Sequence, residues 1–151
     1  MFTAASVVLA AEQGRLALDG DVRRWLPELP DYGHRITLRQ MLHHTSGLRD
    51  YYGLMGLSGR SYRGYYPARE LLALVARQSA LNFEPGSRHE YSNTNYLLLA
   101  EVVRRATGRS LAAFAAEHIF RPLGMHDTPP LQGSVRGQTP APAPRVTRDG
   151  S

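Results

Sequence analysis

Between Thr94 and Thr107 the chain has room for little except a buried helix. The apolar run Tyr96-Leu97-Leu98-Leu99-Ala100 continues through Val102 and Val103, three capable N-caps (Ser92, Asn93, Thr94) stand at its start, and Gly108 terminates it. Burying Leu98, Leu99, Val102 and Val103 contributes roughly 1.5 to 3 kcal/mol per side chain. This helix is therefore expected to be the core against which the other elements pack. The residues leading into it add a turn and a short approach. Pro85-Gly86 supplies the fixed φ and the positive φ of a type II turn, and Tyr91 then arrives just before the helix starts.

A phenol, Tyr91, and a carboxamide, Asn93, thus fall at a helix N-terminus, where unpaired N–H groups favour a nearby anion. With an unassisted pKa of about 10, a tyrosine is a poor base at neutral pH and needs a cationic neighbour to lower it. On the residues alone, proton exchange at Tyr91 stands beside a plainer alternative in which Tyr91 packs under a loop and Asn93 only caps.

At 151 residues with 42% hydrophobic side chains, the chain is one domain's worth and is no disordered polymer. It has no cysteine, which excludes disulfides and thiolate metal sites. No run approaches the roughly 20 apolar residues that span a bilayer, and no signal peptide is visible. The formal charge of +5 arises from 18 arginines with no lysine. These are scattered as singles and pairs without an aromatic-interleaved stripe, so they are expected on solvated surface, and no nucleic-acid role is expected.

Taken in order, Phe2 to Gln13 is alanine-rich and apolar and reads as a buried helix closed by Gly14. Asp19 or Asp21 can cap a short helix from Val22 to Leu26, stopped by Pro27, with Trp25 as a core anchor. Thr37 caps Leu38 to His44, and Gly47 is expected to end that helix. The next twenty residues mix five tyrosines (51, 52, 62, 65 and 66) with four glycines and suggest an irregular loop, either a pocket rim or ordinary loop anchoring. Helices follow from Pro67, as an N1 residue, to Arg77, and from Ser110, as a cap, to Phe120. Five of the ten prolines fall after Thr128, giving a division into a helical region at 1–128 and a tail at 129–151 that is expected to be disordered. The pair His43-His44 is no metal site by pattern, because adjacent helical residues point about 100° apart and no third ligand is suitably spaced. No Gly-rich phosphate loop and no Gly-x-Ser-x-Gly elbow occurs, and no cofactor is expected.

Several segments in this order resemble one family. They are Phe2-Thr3-Ala4-Ala5, Glu12 to Asp19, Trp25-Leu26-Pro27, Ile36 to Leu48 with its His43-His44-Thr45-Ser46-Gly47, Phe83-Glu84-Pro85-Gly86, Tyr91-Ser92-Asn93 and Arg121-Pro122-Leu123-Gly124-Met125. Together they resemble the serine β-lactamase and DD-peptidase superfamily, in its class C and esterase-like members, over about 1–128. The resemblance implies a serine hydrolase working through an acyl-enzyme on a β-lactam, a D-alanyl peptide or an ester. It implies that Tyr91 is the catalytic tyrosine of the Tyr-x-Asn motif and that Asn93 orients substrate. The fold class it implies is mainly α in this chain, the helical part of an α/β fold whose central sheet is largely missing.

The departure from the family pattern concerns the nucleophile. Relatives carry Ser-x-x-Lys one residue ahead of the Phe-Thr-Ala stretch, which falls before Met1, and without lysine neither that motif nor a Lys-Thr-Gly motif exists in these residues. The expectation is a truncated or frameshifted member that does not perform acyl transfer alone. The alternative is a non-catalytic fragment or binding module that retains the Tyr-x-Asn pocket wall. The expected partner is a small-molecule or peptide acyl substrate; relatives are usually periplasmic or secreted, and the oligomeric state is left open.

Overall fold

The computed structural model describes residues 1–128 and the pair Ser134–Val135. It is mainly helical: α1 (Phe2–Glu12), a 3₁₀ turn (Val22–Arg24), α2 (Leu38–Leu42), α3 (Tyr51–Leu57), α4 (Ala68–Ala76), α5 (Asn93–Thr107) and α6 (Leu111–Ala115). From α6 the chain runs on through a π-helical turn, Ala116–Phe120. The only described strands, β1 (Tyr66–Pro67) and β2 (Ser134–Val135), pair antiparallel. The remainder of 129–151, including the expected disordered tail, lies outside the described residues.

The helix α5 is central. Helices α1, α2, α3, α4 and α6 all contact it, and Leu98, Leu99, Val102 and Val103 are fully excluded from water, as the apolar run requires. Its end is where the sequence places it, with Gly108 in the left-handed conformation at φ 72°. α1 ends on a Schellman motif, in which Gly14 N–H donates to Ala11 O and Arg15 N–H donates to Ala10 O. α1 is apolar on every side, yet it is only half covered: Val7 and Ala10 are sealed while Val8 remains 39% exposed. Near the other end of the chain, Phe2 meets Phe120 edge to face at 4.9 Å, tying the start of α1 to the π-helical turn.

Four local expectations are corrected. The Tyr/Gly-rich segment is helical over Tyr51–Leu57, because Asp50 caps it by accepting from Tyr52 N–H at 2.8 Å and because Tyr51, Leu54 and Met55 bury one face. α2 stops at Leu42, with the left-handed position taken by His44 at φ 55° and not by Gly47. The helix end is nevertheless well made, since His44 N–H donates to Met41 O and Thr45 N–H to Gln40 O. Trp25 is only partly buried, while neighbouring Leu26 is fully enclosed. Pro67 is the N-cap of α4 and not its first residue. Other caps follow the sequence: Asp21 accepts from Arg23 N–H, and Thr37 and Gln40 form a reciprocal capping box. Ser110 accepts from Ala113 N–H.

Candidate active site

Three consecutive polar residues open α5, and each is tied to the segment 44–51. Asn93 gives both its backbone N–H and its Nδ2 to Asp50 Oδ2, at 2.5 and 2.9 Å. Thr94 Oγ1 donates to Arg49 O and accepts from Tyr51 N–H, at 2.7 and 2.9 Å. Asn95 Oδ1 accepts from Ser46 Oγ at 2.6 Å, and its Nδ2 lies 3.2 Å from His44 Nδ1. Thr94, Asn95 and Ser46 are buried, and each is hydrogen-bonded, which is what polar groups in a core require.

A second segment lies on the first. Asn82 N–H donates to Gly47 O, Gly86 N–H to Thr45 O and Glu90 N–H to His44 O, at 2.8, 2.7 and 2.9 Å. The Pro85-Gly86 turn closes as expected, with Gly86 at φ 89° and Ser87 N–H donating to Glu84 O. This delivers Tyr91 to the α5 N-terminus. The residue is 66% exposed, and its hydroxyl donates to Asn93 Oδ1 at 3.2 Å. The phenol and the carboxamide singled out in the sequence are therefore in contact, on a surface open to solvent.

Asn93 also borders a cleft of about 590 Å³, where Tyr96 and Leu97 of α5 face Thr3 in the first turn of α1, Tyr51 of α3 and Leu111 of α6. Tyr91 stands beside this cleft without lining it. An adjoining hollow of about 570 Å³ between α4 and α5 shares Arg69, Glu101 and Arg104 with this cleft and is also walled by Arg77 and by Arg105, which bridges Glu28 and Glu101. The carboxyl of Glu101 is held below the usual carboxylate range, mainly by its hydrogen bond from Arg104.

The electrostatics differ from the sequence expectation in one respect. The first N–H of α5 does not face an open site, because the Asp50 carboxylate already occupies it. The arginine of the approach segment, Arg88, is committed to the Phe83 ring at 4.6 Å and to Glu90 at 3.0 Å. What stands against Tyr91 is the His44 imidazole, at 4.5 Å between ring centroids. Burial, and then the nearby His89, push the His44 pKa below its ordinary value. The Tyr51 phenol, in the cleft wall, is pushed well up by burial.

Sequence reasoning missed Asp50 and His44. Asp50 precedes two tyrosines in a glycine-rich run that masks a helix start. For His44 the signal was the absence of glycine immediately after α2, since histidine is among the residues enriched at positive φ. No helix among the described residues is long and apolar enough to cross a membrane.

A sequence profile of the Beta-lactamase family matches residues 1–129. The chain is 39% identical over 127 residues to a penicillin-binding protein of Bacillus subtilis (strain 168), covering 84% of this chain and 28% of that protein. It is 38% identical over 109 residues to a D-aminopeptidase of Cereibacter sphaeroides, covering 72% and 21%. Among solved structures, a penicillin-binding protein from Bacillus halodurans superposes with a TM-score of 0.70 at 28% identity, covering 85% of this chain and 41% of that one. The chain thus spans about a quarter of the length of these curated relatives. With the family profile matched over residues 1–129 and 39% identity to a penicillin-binding protein over 84% of its own length, this chain belongs to the Beta-lactamase family.

Proposed function

We propose that this chain carries the Tyr-x-Asn side of a serine acyl-hydrolase centre, with Tyr91 as the proton-transferring group and Asn93 as the group that orients substrate. The observation that supports this most directly is the Tyr91 hydroxyl, open to solvent and bound to the carbonyl of an asparagine that borders the cleft. Acyl transfer through an alcohol needs a nucleophile and a base in hydrogen-bond reach. The 151 residues contain no lysine, so a lysine base has to come from outside them. Alone, the chain binds an acyl substrate on this wall without turning it over. The names of the relatives, a D-aminopeptidase and penicillin-binding proteins, favour D-amino-acid amides and D-alanyl peptides as the ligand class.

The test pairs turnover with binding. A chromogenic cephalosporin, a p-nitrophenyl ester and a D-alanine anilide should all remain intact beyond the buffer rate. Titration with a D-alanyl-D-alanine peptide should show weak binding. Asn93→Ala is expected to weaken that binding about five- to tenfold, the worth of one or two hydrogen bonds. Turnover that disappears in Tyr91→Phe would refute the inactivity of the chain and establish it as an enzyme. Binding indifferent to both substitutions would remove this wall from the site.

A further inference from the structure

His44 acts on the approach segment through both its backbone and its side chain. Its carbonyl accepts from Glu90 N–H at 2.9 Å and its Nδ1 accepts from Ser92 N–H at 3.2 Å, so the two amides flanking Tyr91 end on one residue. The ring lies between Tyr91, with centroids 4.5 Å apart, and Tyr96, nearly parallel at 5.2 Å and 19°. The left-handed end of α2 makes this possible, since at φ 55° the residue leaves the helix with both carbonyl and ring turned to the segment that follows Arg88. Backbone of this kind is unfavourable for a side chain with a Cβ and persists where its surroundings over-determine it.

The protonation of the ring is fixed by the same network. Ser46 Oγ donates to Asn95 Oδ1, which leaves the Asn95 amide nitrogen toward His44 Nδ1 at 3.2 Å. Nδ1 accepts from Ser92 N–H, with Asn95 Nδ2 at the same distance, and the ring proton therefore belongs on Nε2. The titratable neighbours are His89 and Tyr91 on the approach segment, Tyr96 on α5 and His43 on its own turn. The carboxylates of the surrounding segments are otherwise engaged, Glu90 with Asn82 and Arg88, and Asp50 with Asn93 and Tyr52.

We propose that His44 is a positioning residue for Tyr91, a neutral acceptor clamp that holds residues 90–92 so that the phenol stands at Asn93. This rests on the assignment of Tyr91 to the reaction centre, but it is measured independently of that assignment. The pH behaviour follows from the acceptor role. A proton on Nδ1 removes the acceptor, and burial together with His89 already opposes that proton. The clamp is present above the ordinary histidine pKa of about 6.5 and is lost as the pH falls through the lower value of the folded chain.

The experiment is nitrogen-15 NMR of the full 151-residue chain. At neutral pH the His44 shifts should identify Nδ1 as the bare acceptor and Nε2 as the protonated nitrogen, and the Ser92 amide should be protected from exchange. Acidification should remove that protection in step with the titration of His44. His44→Gly keeps the left-handed backbone without an acceptor. It is expected to lower Ser92 protection about three- to tenfold and to shift the Tyr91 ring signals. His44→Asn tolerates the same backbone and carries Oδ1 at the same place along its side chain as Nδ1, so it should restore Ser92 protection without the ring-stacking shift. A proton found on Nδ1, a Ser92 amide unprotected at neutral pH, or Tyr91 signals unmoved in His44→Gly would overturn the proposal. The titration of the unsubstituted chain decides it even if a variant fails to fold. A clamp seen in these spectra together with ligand binding indifferent to Asn93→Ala would retain the positioning and sink the site assignment; the opposite pair of results would do the reverse.

Discussion

Asp50→Ala is expected to destabilise the chain by about 2 to 4 kcal/mol, because one carboxylate caps two helices. Its Oδ1 accepts from Tyr52 N–H at the start of α3, and its Oδ2 accepts from Asn93 N–H at the start of α5. Loss of a single side-chain N-cap costs roughly 0.5 to 2 kcal/mol. Both caps go together here, and the Asn93 amide loses its partner as well. For a chain of this length the shift in Tm is about 2 to 4 °C per kcal/mol, so a fall of roughly 4 to 16 °C is expected in a thermal melt. Asp50→Asn is the informative companion. It keeps one oxygen, which can serve α3 or α5 but not both, and should fall between wild type and alanine. A loss below about 1 kcal/mol for Asp50→Ala would mean that the caps are replaced by water. The same substitution frees the Asn93 side chain, so its effect on peptide binding should accompany its effect on stability.

The sequence carried the core and the caps further than it carried the site. Leu98, Leu99, Val102 and Val103 are buried as their spacing demands, and Thr37, Asp21 and Ser110 cap where short-range chemistry puts them. These features are local, and a run of apolar residues between an N-cap and a glycine has few alternatives. What was not legible depends on contacts between residues far apart in the chain. Tyr51–Leu57 is poor in helix formers apart from its leucines and Met55, with two glycines, and its helix stands because its start shares Asp50 with α5, more than 40 residues later. The contact of Tyr91 with Asn93 follows from their spacing at a helix start. The dependence of that start on Ser46, Asp50 and His44 does not, since each reaches it across 43 to 51 positions of sequence. The supporting role of His44 is not legible, because an αL histidine cannot be distinguished from a helical one until the end of α2 is located.

Gly47→Ala should cost about 3 to 5 kcal/mol. Gly47 sits at φ 76°, and a Cβ built there would meet the Phe83 carbonyl oxygen at 2.2 Å. The first factor alone costs roughly 1 to 2 kcal/mol for an L-residue. The second cannot be relieved by rotating a side chain, because the obstacle is backbone. Phe83 is held on both sides, by Asn82 N–H on Gly47 O and by Gly86 N–H on Thr45 O, so withdrawing it breaks the hydrogen bonds that dock the approach segment on 44–47. Gly14→Ala separates the two contributions, since it has nearly the same φ of 69° with nothing within 4 Å of the added carbon. That variant should lose only the backbone cost, about 1 to 2 kcal/mol. Urea unfolding of the pair gives the clash by difference. If both variants lose stability equally, the two segments are not in contact as described, and the support beneath Tyr91 is lost with them. If Gly47→Ala is the weaker by about 2 kcal/mol or more, the close approach of residue 83 to residue 47 is what seats the approach segment, and its loss should also release the Ser92 amide to exchange.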